Sequence, residues 1–526
     1  MTDTIVKTQT TAERTAPKTN WFKFVWEKLT SPFVWLVVGF FGLYFLTASF
    51  SFFSTDGEVM YQTTREIALN FRLNQPPTPG LSQIFQGTDG LYYSKYGLGQ
   101  PLLAAAFYKV GLSVHWRFMR EKPFEPVAHF FVALLPIVVT ALTVGLVYLW
   151  AKELYRSQKI AIGLAVVAGL ATSLWVYSHF FFSEPLYMLG IFGGAYAVWK
   201  AYQSKERTLS HNVAFFQKKV WSYFWRYGWL VLGGVGMGYA VMTRAAGVTL
   251  LPAFVLFIAM KQDWKGKGWF GLIKDGVAFG LGALPFALLL MFYNNVRSGS
   301  PFNNAYEGEG FTTPVWEGVW GLLFSTGKSV FMYVPVLIAL PFTFRDFWRR
   351  FKPETLFFGL LIGVTLLYSG AWWSWYGGFS WGPRFMVPVL PFAVLMLGVL
   401  LQKSRLWVIV LFVGLLPVSV FVQMAGIMID FNTHLGEVTK FQPGWDANYN
   451  WIPSLSPLRY HFVNMWNGDI NVVRGLTLEQ LGLNRRGGLI FTTGAWLAFG
   501  LGLLVLGYRY ARLVQKQGFI ENGNGK

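Results

Sequence analysis

The sequence predicts an all-α polytopic membrane protein with about 12 transmembrane helices, and three observations carry that prediction. The chain has 526 residues, of which 54% are hydrophobic and only 13% charged, roughly half the charged fraction of a water-soluble domain. It holds 24 Trp, 24 Tyr and 50 Phe, and its mean hydropathy is +0.40. Its apolar residues gather in runs of the length that crosses about 30 Å of hydrocarbon. Disordered, collagen-like and disulfide-scaffold classes are excluded by the same numbers. Cysteine is absent, which excludes a thiol nucleophile, a thiolate metal site and a disulfide.

In chain order the predicted spans are 32–53, 127–151, 160–177, 186–202, 228–243, 247–260, 276–293, 329–344, 355–371, 385–401, 406–428 and 489–507. The fifth and sixth are short enough to read alternatively as two halves of a re-entrant hairpin. With the amino terminus inside, the inner segments are 1–31, 152–159, 200–227, 261–275, 345–354, 402–405 and 508–526. They hold 28 of the 44 Lys and Arg but only 10 of the 25 acids. Under the positive-inside rule this asymmetry sets the orientation, places both termini in the cytoplasm and puts the protein in the cytoplasmic (inner) membrane. A net charge of +19 explained by inner loops leaves no reason to expect a nucleic-acid partner; membrane lipids are the expected surroundings.

The organisation that follows is a polar cytoplasmic tail (1–31), a transmembrane core (32–428) with a long external loop (54–126), a second external loop or small lid (429–488), a last span (489–507) and a cytoplasmic tail (508–526). Residues 1–20 lack an apolar region ending in a small-residue cleavage signature, so no removable signal peptide is expected and the first span serves as signal and anchor. Function is expected in the external loops, because irregular backbone beside a membrane persists only where water or protein satisfies it.

Ser54-Thr55-Asp56-Gly57-Glu58 follows the first span directly and sets two carboxylates at the membrane boundary. In extended chain Asp56 and Glu58 point to one side; in a helix they diverge by about 200°. Thr55-x-x-Glu58 also reads as a capping box opening a helix over 56–71. For Glu58 capping alone competes evenly with function, whereas Asp56 favours function, since an aspartate beside hydrocarbon needs a partner. Arg65 lies two turns beyond Glu58 on its face, with a surface ion pair as the simpler reading. The stretch 101–112 is apolar but too short to cross, and is expected to form an interfacial helix. Lys95, just before it among tyrosines, is either a snorkelling lysine or a phosphate ligand.

Acids directly after the first span, Arg65-Glu66 nine and ten positions beyond Asp56, and a lysine preceding Pro101-Leu102-Leu103 together resemble GT-C superfamily glycosyltransferases, among them protein mannosyltransferases and lipid A aminoarabinose transferases. The strings Gly238-Tyr239-Ala240-Val241-Met242-Thr243-Arg244 and Gly377-Gly378-Phe379-Ser380-Trp381-Gly382-Pro383-Arg384-Phe385 extend the resemblance. It implies a GT-C-like fold and transfer of a sugar from a polyprenyl-phosphate carrier to a lipid, glycan or protein acceptor on the outer face, with a first-loop aspartate as catalytic residue. Many relatives have adjacent Asp-Glu there. This chain has Gly57 between the two, and Asp56 is the one that keeps the spacing to Arg65-Glu66.

The residue types fit that chemistry. A carboxylate near a hydroxyl serves as general base while cations receive the departing phosphate. Catalytic candidates are Asp56 and Glu58; donor-phosphate candidates are Lys95, Arg65, Arg244 and Arg384. For Arg244 and Arg384 the competing reading is an aromatic belt with interfacial arginines. In the turn before the fourth span, Glu184 is a candidate second-loop acid for the donor or a metal. His179 stands beside it, although a lone histidine here is more often an interface residue. No cofactor is required, and a divalent cation on Asp56, Glu58 and Glu184 stays open. In the last loop, Trp445, Trp451, Trp466 and Asp469 belong to a cap over the cavity or a small packed lid. Two other functions compete. A transporter or flippase of lipid-linked sugars needs charge or broken helices at mid-membrane; a lipid-linked glycan ligase or polymerase would use Arg459 and His461.

Overall fold

The computed structural model describes residues 31–467 apart from 51, 53, 79–80, 122, 204–214, 267, 307, 403–404 and 442–446. The tails, the predicted span 489–507, Trp445 and Asp469 lie outside the described residues. The protein is a mostly helical, multi-pass membrane protein. Its elements are α1 (Pro32–Thr47), α2 (Thr55–Asn70), β1 (Ile84–Gln86), β2 (Tyr92–Ser94), α3 (Gly99–Phe118), α4 (Phe124–Tyr155), α5 (Gln158–Leu170), α6 (Glu184–Gln203), α7 (Phe215–Thr243), α8 (Leu251–Met260) and α9 (Gly268–Ser298). Then follow α10 (Val315–Phe324), α11 (Leu340–Arg350), α12 (Lys352–Ala371), α13 (Leu390–Leu397), α14 (Leu406–Met428), α15 (Phe431–Phe441) and α16 (Pro457–Asn467).

Every predicted span within the described residues is helical in whole or part, yet five segments are long and apolar enough to cross by themselves: α4, α9, α12, Arg384–Leu401 and α14. The count of about 12 is thus not reproduced by that measure. Several apolar runs are interrupted. The run 329–344 breaks into Val330–Tyr333, a 3-10 turn Pro335–Ala339 and α11, because Pro335 has no N–H to continue the ladder. The fifth run is no half-hairpin: it belongs to the 29-residue α7, about 43 Å long at 1.5 Å per residue.

The core is aromatic. Trp150, fully buried on α4, meets the rings of Phe192 (5.2 Å), Phe358 (5.2 Å) and Phe392 (6.1 Å), so one side chain joins four segments. Helices α6 and α7 touch through backbone: a Cβ on Gly236 would stand 2.8 Å from the Gly190 carbonyl oxygen, and one on Gly194 2.9 Å from that of Gly233. Small residues at such a contact are how membrane helices gain packing without a hydrophobic drive between them. The glycines at this contact therefore serve packing. Gly236→Val is expected to lower stability by about 1–3 kcal/mol; an unchanged melting temperature in detergent would mean that the two helices do not meet here.

The segment after α1 is a helix, not an extended strand. Ser54 caps it, its Oγ accepting from the Gly57 N–H at 3.0 Å, so the expected Thr55–Glu58 capping box is replaced by a cap one residue earlier. The helix closes at Phe71 in the left-handed region, φ 53. Hairpin β1–β2 pairs Ile84 with Ser94 and Gln86 with Tyr92, and its exit delivers Lys95 and Tyr96. Helix α3 is longer than the expected 101–112. It buries Ala104, Ala105, Tyr108 and His115 while Val110, Trp116 and Phe118 stay exposed, the two-faced pattern of an interfacial helix.

Candidate active site

One end of the bundle gathers the starts of α2 and α6, the ends of α7 and α9, the Lys95 turn and the segment before Arg384. Between them lies a cavity of about 520 Å³. Local sequence explains each delivery. Asp56 sits in the first turn of α2 and Glu184 is the first residue of α6, where the helix dipole favours a carboxylate; Arg244 follows the last residue of α7, where it favours a cation. Arg384 is carried by a turn in which Gly377, Gly378 and Gly382 have φ of 72°, 67° and 59°, a conformation that side-chain-bearing residues resist.

The side chains converge. Arg384 donates from Nη1 to Asp56 Oδ2 at 2.8 Å and from Nε to Glu184 Oε1 at 2.6 Å. Its guanidinium carbon lies 3.8 Å from the Phe182 ring centroid. Arg244 donates to the same Glu184 oxygen and sits over Phe385. Glu184 is completely buried, and its Oε2 has no hydrogen-bond partner among the described residues. The Tyr96 hydroxyl donates to Asp56 Oδ1 at 2.5 Å. Across the cavity Lys95 Nζ donates to Glu309 Oε1 at 2.6 Å, and the Trp373 indole N–H donates to Glu309 Oε2 at 3.0 Å. Tyr306, Tyr368, Trp372 and Tyr376 complete an aromatic wall.

Burial alone would push the Asp56 carboxyl up, but the Arg384 guanidinium, the Tyr96 hydroxyl and Lys95 together hold it below the usual carboxylate range. The Tyr96 hydroxyl moves the other way, raised by burial and by the Asp56 charge, so it stays a proton donor. Asp56, Glu184 and Glu309 thus meet Lys95, Arg244 and Arg384, and a further cation, Arg297, also lines the cavity.

Of the residues singled out in the sequence, Asp56, Lys95, Arg244, Arg384 and Glu184 come together here. Glu58, Arg65 and His179 do not. Because α2 is helical, Glu58 leaves on another face, accepting from Gln62 at 2.8 Å and lying 3.8 Å from His129. Arg65 binds Glu125 at 3.1 Å and Glu66 at 3.5 Å, which is the surface-pair reading. His179 is buried against the Thr47 hydroxyl at 3.0 Å, and burial pushes its imidazole down to about 3. Asp56, Glu58 and Glu184 accordingly form no common cluster, and no group of three metal-ligating side chains occurs among the described residues. Arg459 and His461 part company as well: Arg459 reaches out to the Ser454 carbonyl, whereas His461 is buried on the Ala425 carbonyl at 2.9 Å. Trp451 packs on Trp375, ring centroids 6.0 Å apart, whereas Trp466 is exposed.

Glu309 and Tyr306 were missed by the sequence reading.

Residues 94–294, under half of the chain, match the family model described as dolichyl-phosphate-mannose-protein mannosyltransferase. This match supports the resemblance to GT-C membrane glycosyltransferases. Among solved structures it is similar to ArnT from Cupriavidus metallidurans in the apo state, with 17% identity over 92% of this chain and 77% of that one and a TM-score of 0.48. The same ArnT bound to undecaprenyl phosphate gives 16%, 93%, 77% and 0.47. The archaeal oligosaccharyltransferase AglB from Archaeoglobus fulgidus, in complex with an inhibitory peptide and a dolichol-phosphate, gives 12% identity over 84% of this chain and 60% of that one, TM-score 0.48. No curated protein compared with this sequence matches it.

Proposed function

We propose that this protein transfers a glycosyl group from a polyprenyl-phosphate-linked sugar to an acceptor hydroxyl at the outer face of the cytoplasmic membrane, inverting the anomeric carbon. The observation that carries the reading is Asp56, held ionised by Arg384 in the wall of a cavity that it shares with Lys95 and Arg244. The mannosyltransferase family match over 94–294 supports it.

In this reading the acceptor oxygen attacks the anomeric carbon, the carbon–oxygen bond to phosphate breaks, and its electron pair leaves with the phosphate. The acceptor proton passes to Asp56, whose charge becomes useful as the hydroxyl acidifies in the transition state. Lys95 and Arg244 receive the phosphate. Arg384, bonded to both Asp56 and Glu184, also orients the base. The aromatic wall of Tyr306, Trp372 and Tyr376 suits the apolar face of a sugar or the first isoprene units.

Mass spectrometry of lipid co-purifying with the protein is expected to show polyprenyl phosphates, and a preparation that binds none when they are supplied would defeat the reading. Lys95→Ala is expected to raise the KM for donor about tenfold or more, the loss of a charge-assisted hydrogen bond, with a smaller effect on acceptor KM. Equal donor KM in the variant and the native enzyme would return Lys95 to a snorkelling role.

A further inference from the structure

Lys328 lies outside the cavity wall yet is completely buried. Its Nζ donates to the carbonyl oxygens of Gly378 at 2.9 Å and Ser380 at 2.7 Å, with the Ser380 hydroxyl at 3.4 Å. No carboxylate lies within ion-pair distance among the described residues, and the Phe431 ring stands 5.7 Å away. A buried ammonium without a counter-ion is costly. Both burial and the nearby Arg384 charge push it well below the usual lysine range. A chain that only needed to fill this volume would place Met or Leu here.

What Lys328 touches explains its presence. Gly378 and Ser380 belong to the turn that ends at Arg384, and three of its glycines have positive φ. Such a turn has many shapes of similar energy. Two inward carbonyls bridged by one amine select a single shape, and in that shape Arg384 meets Asp56 and Glu184. Lys328 is itself anchored. The Gly327 N–H and the Thr326 hydroxyl donate to the Asn450 carbonyl oxygen, both at 2.9 Å, and the Ser456 hydroxyl donates to the Thr326 carbonyl at 2.7 Å. The stretch 447–456 therefore holds the segment that holds the turn.

We propose that Lys328 is a positioning residue, which fixes the 377–384 turn by bridging the Gly378 and Ser380 carbonyls and so presents Arg384 to Asp56 and Glu184; its catalytic consequence rests on the transferase reading above. The role is that of a two-carbonyl donor, so the side chain's hydrogen bonds matter and its volume alone does not suffice.

The experiment compares Lys328→Met, which keeps the volume and loses the donors, with Lys328→Gln, whose amide can bridge two carbonyls. Hydrogen exchange of peptides covering 372–386 and turnover with a polyprenyl-phosphate sugar are measured for each. K328M is expected to exchange faster in that segment alone and to lose about tenfold or more in turnover, the cost of a misplaced catalytic group. K328Q is expected to restore native exchange and to return turnover to within about threefold of native. Native exchange in K328M, or a K328Q no better than K328M, overturns the proposal. If K328M fails to fold, K328Q decides alone: native exchange and turnover support the bridge, and a tenfold loss overturns it. A native enzyme inactive on every polyprenyl-phosphate sugar would sink the transferase reading, while the exchange data would still decide what Lys328 does to the turn.

Discussion

Asp56→Asn is expected to cut sugar transfer about 10²- to 10⁴-fold, the range over which a positioned general base contributes, while leaving membrane insertion and donor binding nearly native. The amide is isosteric and keeps an oxygen for the Tyr96 hydroxyl, but it has no charge for Arg384 and accepts no proton. The pH dependence follows from the direction of the shift. Asp56 lies below the usual carboxylate range, so its ionised form persists across neutral pH, and Asp56-dependent activity is expected to be level there and to fall only as the pH drops through that lowered value. Its contribution to stability has the same sign: present above the ordinary carboxylate pKa of about 3.9, and lost as the pH falls through the folded-state value. Turnover measured by mass spectrometry of product from pH 4 to 8 checks both. Native turnover in D56N would remove the assignment.

Replacing Arg384 with Met is expected to be the most damaging single change to the folded state. It strands Glu184, completely buried, with Arg244 as its remaining cation, and leaves Asp56 without its guanidinium. Removing one partner of a buried ion pair costs roughly 3–5 kcal/mol, read as a lower melting temperature in detergent. The surviving Asp56 carboxyl should move up in pKa, because burial is then opposed only by the Tyr96 hydrogen bond and the Lys95 charge. The acid limb of activity in R384M should therefore shift toward neutrality. The double variant R384M/E184Q is expected to recover part of the lost stability by removing the stranded charge. A native melting temperature in R384M would show that Arg384 is an interfacial belt arginine after all.

The two substitutions probe different layers of what was readable in advance. Asp56, Lys95, Glu184, Arg244 and Arg384 were legible because each is an ionisable residue next to an apolar run, where charge is expensive and implies a partner. Glu58, Arg65 and His179 met that criterion too and do not reach the cavity. Glu58 failed on helical phase: two positions along α2 turn it through about 200°, and only the helix–strand decision at Ser54 settled that. His179 failed on depth, since a turn residue of ambiguous exposure became a neutral ring bonded to Thr47. Glu309 was overlooked because its importance comes from Lys95, a residue far away in sequence.

Lys328 makes the same point from the other direction. Nothing in the identities of its sequence neighbours announces that its amine is enclosed and spent on the carbonyls of Gly378 and Ser380.

What the sequence determined by itself was the class of molecule, the periodic apolar runs, the uneven distribution of its basic residues among the loops, and the set of charged residues from which any site had to be drawn. Those are consequences of transfer free energies that each segment feels locally. Which of these charges face one another, and which carbonyls a buried amine must satisfy, depended on helix phase and on contacts spanning up to 328 positions between Asp56 and Arg384. Only the packed bundle decides that, because a charge buried between helices is tolerable solely where the fold supplies its partner.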